Sequence, residues 1–137
     1  MRPATGPRRR HQRVPARAER GSTSIQMVLL MPALFAVMFL GMQAALYYHA
    51  RAIALASAQE GARAAGAQDG TTSAGIAAAR DYLSATAGDA LSATRVTGYR
   101  STTTATITVR GTPLAVIPAW APPVVQSATV TVERITQ

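Results

Sequence analysis

Polar and basic residues fill the first twenty positions, an unbroken apolar run follows, an alanine-rich stretch succeeds it, and the remainder alternates apolar residues with threonine. From Gly21 to Ala50 no residue carries a formal charge, and Ile25 to Tyr48 is dominated by Met, Val, Leu, Phe and Ala. A helix needs roughly 20 apolar residues to cross the ~30 Å hydrocarbon layer, so the pattern predicts a transmembrane helix over residues 22–48. A cleavable secretory signal carries a shorter apolar region of about 7 to 15 residues. Pro32 lacks an amide donor and should bend this helix in its first third. Tyr47 and Tyr48, followed by His49, mark the far membrane interface, where amphipathic rings prefer to lie.

The helical pattern does not stop at the tyrosines. "HARAIALASAQEGARAAG" is rich in the best helix former, places Gln59, Glu60 and Arg63 at helical spacings, and offers Gly66 as a C-cap. One helix from about Ser22 to Ala65 is therefore expected, about 65 Å long at 1.5 Å per residue, with residues 49–66 projecting beyond the membrane. Ala50, Ala54, Ala58, Ala62 and Gly66 recur every four residues, and Gly41 and Ala45 make the same step earlier. Such rows let helix backbones pack closely. Plain alanine excess produces the same row, so at this level both readings stand.

Residues 67–137 read as a small extracytoplasmic α+β head. "AQDGTTSAG" is a turn, and "SAGIAAARDYLSATAG" is a short helix with Ile76, Ala79 and Leu83 on one face and Gly88 at its end. "ATRVTGYR" and "TATITVRG" are two strands joined by a turn at Ser101 and Thr102, and "SATVTVERI" is a third. In the second, Ala105, Ile107 and Val109 alternate with Thr106, Thr108 and Arg110; in the third, Ala128, Val130 and Val132 alternate with Thr129, Thr131 and Glu133. Each pattern turns one apolar face inward. The proline-rich "TPLAVIPAWAPPVVQ" between them, with the only tryptophan, Trp120, reads as an ordered loop. It could bind a partner, rest on the bilayer interface or close a small core. The expected fold class is thus α+β and membrane-anchored: a long N-terminal helix carrying a head of one helix and about three antiparallel strands.

Charge settles orientation more than chemistry. The net charge of +8 is concentrated in residues 1–20, where seven arginines face only Glu19, and there is no lysine. With three prolines and no apolar periodicity, residues 1–21 are expected to be a disordered basic leader. Arg8, Arg9, Arg10, Arg13, Arg17 and Arg20 next to a span hold the N-terminus in the cytoplasm. An arginine arm for nucleic acid is the competing reading, and its place beside an apolar run counts against it. There is no cysteine and there are two histidines, so neither a metal site nor a cofactor is expected. Single, scattered acids and the lack of any nucleotide or hydrolase motif point away from an enzyme.

From Arg20 to Gly66 the chain resembles the TadE-like family of pilus-assembly pseudopilins of tight adherence (Flp-type) systems. The resemblance is carried by "RG" at Arg20–Gly21, a polar residue five past the glycine, "LLMPALF", "GMQ", "YY" and "EGARAAG". It implies a minor pseudopilin-like assembly protein in the cell membrane, single-pass, with its head outside and with other pilin-like subunits and the pilus machinery as partners. It also implies that a prepilin peptidase cuts after Gly21 and leaves Ser22 as the new N-terminus. The family's usual glutamate at the fifth position after the cut is matched here by Gln26, and its second glutamate by Gln43. An ionised carboxylate in lipid costs ~2.5 to 3.5 kcal/mol unless paired, which drives docking against an amine; glutamine can accept a hydrogen bond but supplies no charge. The alternative is a signal-anchored envelope binding module without prepilin processing, with the threonine-rich sheet and the "VIPAWAPPVV" loop as its ligand surface.

Overall fold

The computed structural model describes residues 19–117 and 119–133, with side chains from Gln26 onward. Arg8, Arg9, Arg10, Arg13 and Arg17 lie outside the described residues, as do the side chains of Arg20 and Ser22. The chain forms α1 (Glu19–Gly66), α2 (Thr72–Thr86), a short 3₁₀ turn (Gly88–Ala90), β1 (Leu91–Arg100), β2 (Thr104–Pro113) and β3 (Val124–Thr131). The strands make one antiparallel sheet in the order β1-β2-β3. Two compact units divide within α1, one ending at Ala36 and the other beginning at Val37.

The first unit is described as helix alone. Helix α1 starts at Glu19, earlier than the expected Ser22, so Arg20 and Gly21 are helical rather than part of a disordered leader. Assigned helix ends shift by a residue or two with definition, but Gly21–Ser22 falls inside the first turn either way. Pro32 sits within the continuous helix and removes the amide that would bond the carbonyl of Val28.

In the second unit, α1 meets α2 and the sheet with two neighbouring rows of small residues. Ala50, Ala54, Ala58, Ala62 and Gly66 form one row, and Ile53, Ser57, Gly61 and Ala65 the other, and all are buried. Helix α2 answers with Gly75, Ala79 and Leu83. Because both faces are small, the backbones come very close: a Cβ on Gly61 would lie 2.6 Å from the Gly75 carbonyl oxygen and 2.8 Å from Ala79 Cβ. A Cβ on Gly75 would lie 2.6 Å from Ala65 Cβ. Bulk comes from the sheet, where Ala105, Ile107 and Val109 of β2 are fully buried as the alternation predicts. Ile107 reaches to within 3.2 Å of where each of those two Cβ atoms would sit, so it fills the gap at the helix crossing.

Hydrogen bonds fix the same contact. Ser57 Oγ donates to the Ala79 carbonyl at 2.8 Å, which satisfies the one hydroxyl buried in the seam. The last carbonyls of α1, which no helical amide can reach, accept from β1 and from the residues after β3: Arg100 Nε donates to Ala65 O at 2.8 Å, and Glu133 N donates to Gly66 O at 2.9 Å. The guanidinium also places a positive charge at the negative end of the helix.

Several boundaries differ from the sequence reading. Helix α2 begins at Thr72, capped by the Thr71 hydroxyl, and ends at Thr86; Gly88, directly after the C-cap residue Ala87 and with φ of +47°, stops the helix in the left-handed conformation as expected and also opens the 3₁₀ turn. Strand β1 begins at Leu91 and carries an irregularity between Ser92 and Arg95, where Ala93 has φ of +48°. Strand β3 begins at Val124, directly after Pro122 and Pro123, and leaves the ladder after Thr131, so Val132 and Glu133 are not in the strand. Prolines forbid a ladder only at their own positions, which is why the strand resumes at once.

If the glycine contact sets the helix separation, Gly75→Ala should destabilise the head by about 1–3 kcal/mol through overpacking. Gly41→Ala, with nothing within 4 Å of the added methyl, should not. Thermal unfolding of the two purified variants measures this, and equal midpoints would show that the glycines do not set the spacing.

Candidate functional site

Most residues of α1 just before the alanine rows are exposed, with one marked exception. Gly41, Met42, Ala44 and Ala45 face outward, but Gln43 is only 3 % exposed. Its side-chain amide is gripped by the loop between β2 and β3. Gln43 Oε1 accepts from Val116 N at 2.9 Å and from Ile117 N at 3.3 Å, while Nε2 donates to the Trp120 carbonyl at 3.1 Å. Two amides facing one atom and a carbonyl facing the other leave a single consistent orientation for the amide group.

The loop needs this partner because its own sequence denies it a ladder. Its turn is closed by Trp120 N donating to Ile117 O at 3.2 Å, with Ala119 in the left-handed region at φ of +62°. Leu114 N donates to Ala90 O at 3.2 Å and holds the start of the loop to the 3₁₀ turn. Gln43, Tyr47, Trp120 and Pro122 then wall an almost wholly apolar cleft of about 200 Å³. Tyr47 is half-buried and packs on the core, whereas Tyr48 is exposed; their rings meet edge to face with centroids 5.9 Å apart.

The structure separates the residues grouped by sequence as a packing seam. Ala50, Ala54, Ala58, Ala62 and Gly66 are buried in the chain's own core, so this row is filled by the head and is not open to a neighbouring helix. Gly41 and Ala45, expected to extend the row, are exposed. The side chain of Gln26 is exposed too. Between Met27 and Met42 the large apolar side chains are exposed throughout, Val28, Leu29 and Val37 most of all. Among the described residues one helix is long and apolar enough to cross a membrane, and this is it. No three histidines, cysteines or acids gather among the described residues in a way that could hold a metal.

The Gln43 clamp was not foreseen. The sequence did contain a signal for it, namely one amide in an apolar run and, far away, a proline-rich segment whose remaining amides lacked obvious partners. Pairing the two requires the fold.

Residues 21–63, about a third of the chain, match the family model described as TadE-like protein. The matched stretch contains Gln26, Gln43, Tyr47, Tyr48 and most of the alanine row, and it excludes α2, the sheet and the proline-rich loop. It associates the chain with Tad pilus machinery, and its long apolar helix indicates single-pass membrane anchoring. No curated protein and no solved structure matches the chain.

A glutamate at position 43 would keep the acceptor for Val116 and Ile117 but, ionised, would lose the donor and turn lone pairs toward the Trp120 carbonyl. Gln43→Glu should therefore cost about 1–3 kcal/mol at neutral pH, with faster hydrogen exchange at Val116 and Ile117. Exchange rates at these two amides unchanged by the substitution would show that the clamp does not hold the loop.

Proposed function

We propose that the chain is a minor pseudopilin-like subunit of a tight adherence pilus or a related secretion system, anchored in the membrane and acting by helix packing without chemistry of its own. The observation that carries this reading is the combination, in one helix, of the TadE-like match over residues 21–63 with an unbroken exposure of large apolar side chains from Met27 to Met42. Soluble proteins do not leave so continuous an apolar surface open to water. In a bilayer, lipid and the helices of other subunits cover it.

The exposed small residues Gly41 and Ala45 then give a neighbour's backbone room to approach. The alanine row beyond them serves a different purpose, holding the head to its own helix. The arginine-rich flank keeps the N-terminus cytoplasmic and the head outside. A prepilin peptidase cuts after Gly21, leaving Ser22 first and Gln26 fifth. Lacking charge, Gln26 docks against a neighbouring amino group by a hydrogen bond alone, which suits a subunit present in few copies and not the repeating body of a fibre.

Intact mass and N-terminal sequencing of the membrane-extracted protein test this. The expected start is Ser22. An uncut chain would remove prepilin processing and favour the signal-anchored envelope module, and a start at Ala50 or later would mean an export signal and no anchor at all.

A further inference from the structure

The loop that Gln43 holds has no part in helix packing, yet it is the most apolar exposed surface of the head. From Gly111 to Val132 the chain has no charged residue. Leu114, Val116 and Trp120 project from the loop, Trp120 with 51 % of its surface open, and Pro122 is exposed beside it. A cluster of this kind marks a contact surface.

Three features identify its occupant as lipid. First, Gln43 lies four residues, one helical turn, before Tyr47, on the side from which α1 enters the membrane, so the loop is fastened to the helix at the level of its aromatic belt. Second, apart from those of Ala115, Ala119 and Ala121, the loop's amide positions make no demand on a surrounding solvent. Pro113, Pro118, Pro122 and Pro123 have no amide hydrogen, Gln43 satisfies Val116, Ile117 and the Trp120 carbonyl, and Leu114 and Trp120 donate internally. In lipid, irregular backbone persists only when its polar groups are met in this way. Third, a cleft of about 360 Å³ joins Pro123, at the loop's end, to Arg95 and Arg110. These arginines face each other across β1 and β2, both exposed, with Arg110 three residues from Pro113. Like charges directly opposite in a sheet repel, and an anionic headgroup between them relieves this.

We propose that residues 114–117 and 119–122 form a membrane-seated wedge, with Trp120 and its apolar neighbours in the interfacial layer of the leaflet on the head's side and Arg95 and Arg110 on headgroup phosphates. The wedge gives the head a second point of attachment beside α1, which limits its rotation about the helix axis. This rests on the membrane-spanning reading of α1, not on prepilin processing.

Trp120, as the only tryptophan, reports the position directly. The full chain is reconstituted into phosphatidylcholine vesicles, with or without phosphatidylglycerol, and its emission is measured with lipids brominated near the carbonyl end of the acyl chains and with aqueous iodide. The wedge predicts that bromine removes about half of the emission or more, as for a ring in the interfacial belt, and that iodide has little effect. Gln43→Leu should reverse that order by releasing the loop. Phosphatidylglycerol should strengthen bromine quenching, and Arg95→Ser/Arg110→Ser should abolish that increment; an unchanged increment would remove the headgroup contacts from the proposal. Iodide-accessible Trp120 in integrated protein overturns the wedge and leaves the anchor standing. Protection from both quenchers overturns it in favour of protein cover, and failure of the chain to integrate overturns wedge and anchor together.

Discussion

The close approach of α1 and α2 at Gly61 and Gly75 is the contact on which the rest of the head depends. A helix face made of alanine, glycine and serine buries little apolar area per residue, so it stabilises only if its partner comes near enough to make dense van der Waals contact. The two glycines permit that distance, and Ile107 fills what the small side chains leave empty. Three elements from distant parts of the sequence therefore meet at one point. Removing bulk from Ile107 would leave a cavity under both helices, a change that typically costs 2–5 kcal/mol.

This contact also divides the uses of α1. From Ala50 onward its small-residue face belongs to the chain's own head, with the carbonyls at its end tied to Arg100 and Glu133. What is available to other molecules is therefore the stretch before Ala50, together with the exposed remainder of the helix surface. Gln43 stands at the edge of this division. With half-buried Tyr47, it ties the stretch before Ala50 to the head, Gln43 by way of the proline-rich loop.

Much of the fold was legible in the sequence because local periodicity and tertiary burial agree there. The alternation of Ala105, Ile107 and Val109 is the core face of β2, and Ala79 and Leu83 are buried on α2 as their spacing suggests. The alanine row was visible, but its occupant was not, since small residues specify a close neighbour without specifying which one. The early start of β3 was hidden by Pro122 and Pro123, whose effect on the ladder ends more abruptly than their density suggests. The clamp was least legible of all: Gln43 and Trp120 are 77 residues apart, and nothing in local pattern couples an amide in a span to a carbonyl in a loop.

Gln26 and Gln43 stand at the two positions where the TadE-like resemblance leads one to expect glutamate, and the same substitution has a different physical meaning at each. Gln43 is buried and uses both ends of its amide, accepting twice and donating once to groups that a carboxylate could satisfy only in part. There the neutral residue is required by the loop it holds, so its identity follows from this chain's own head. Gln26 is exposed, and the loss of charge there acts only on what the helix meets in the membrane. A carboxylate at that depth is costly until it finds an amine, and that cost is what enforces docking; an amide is cheaper to insert and correspondingly weaker as a demand for a partner. An amide at position 43 thus serves fixation within the chain, whereas an amide at position 26 makes a weaker demand for a partner than a carboxylate would, and the two effects are independent of each other.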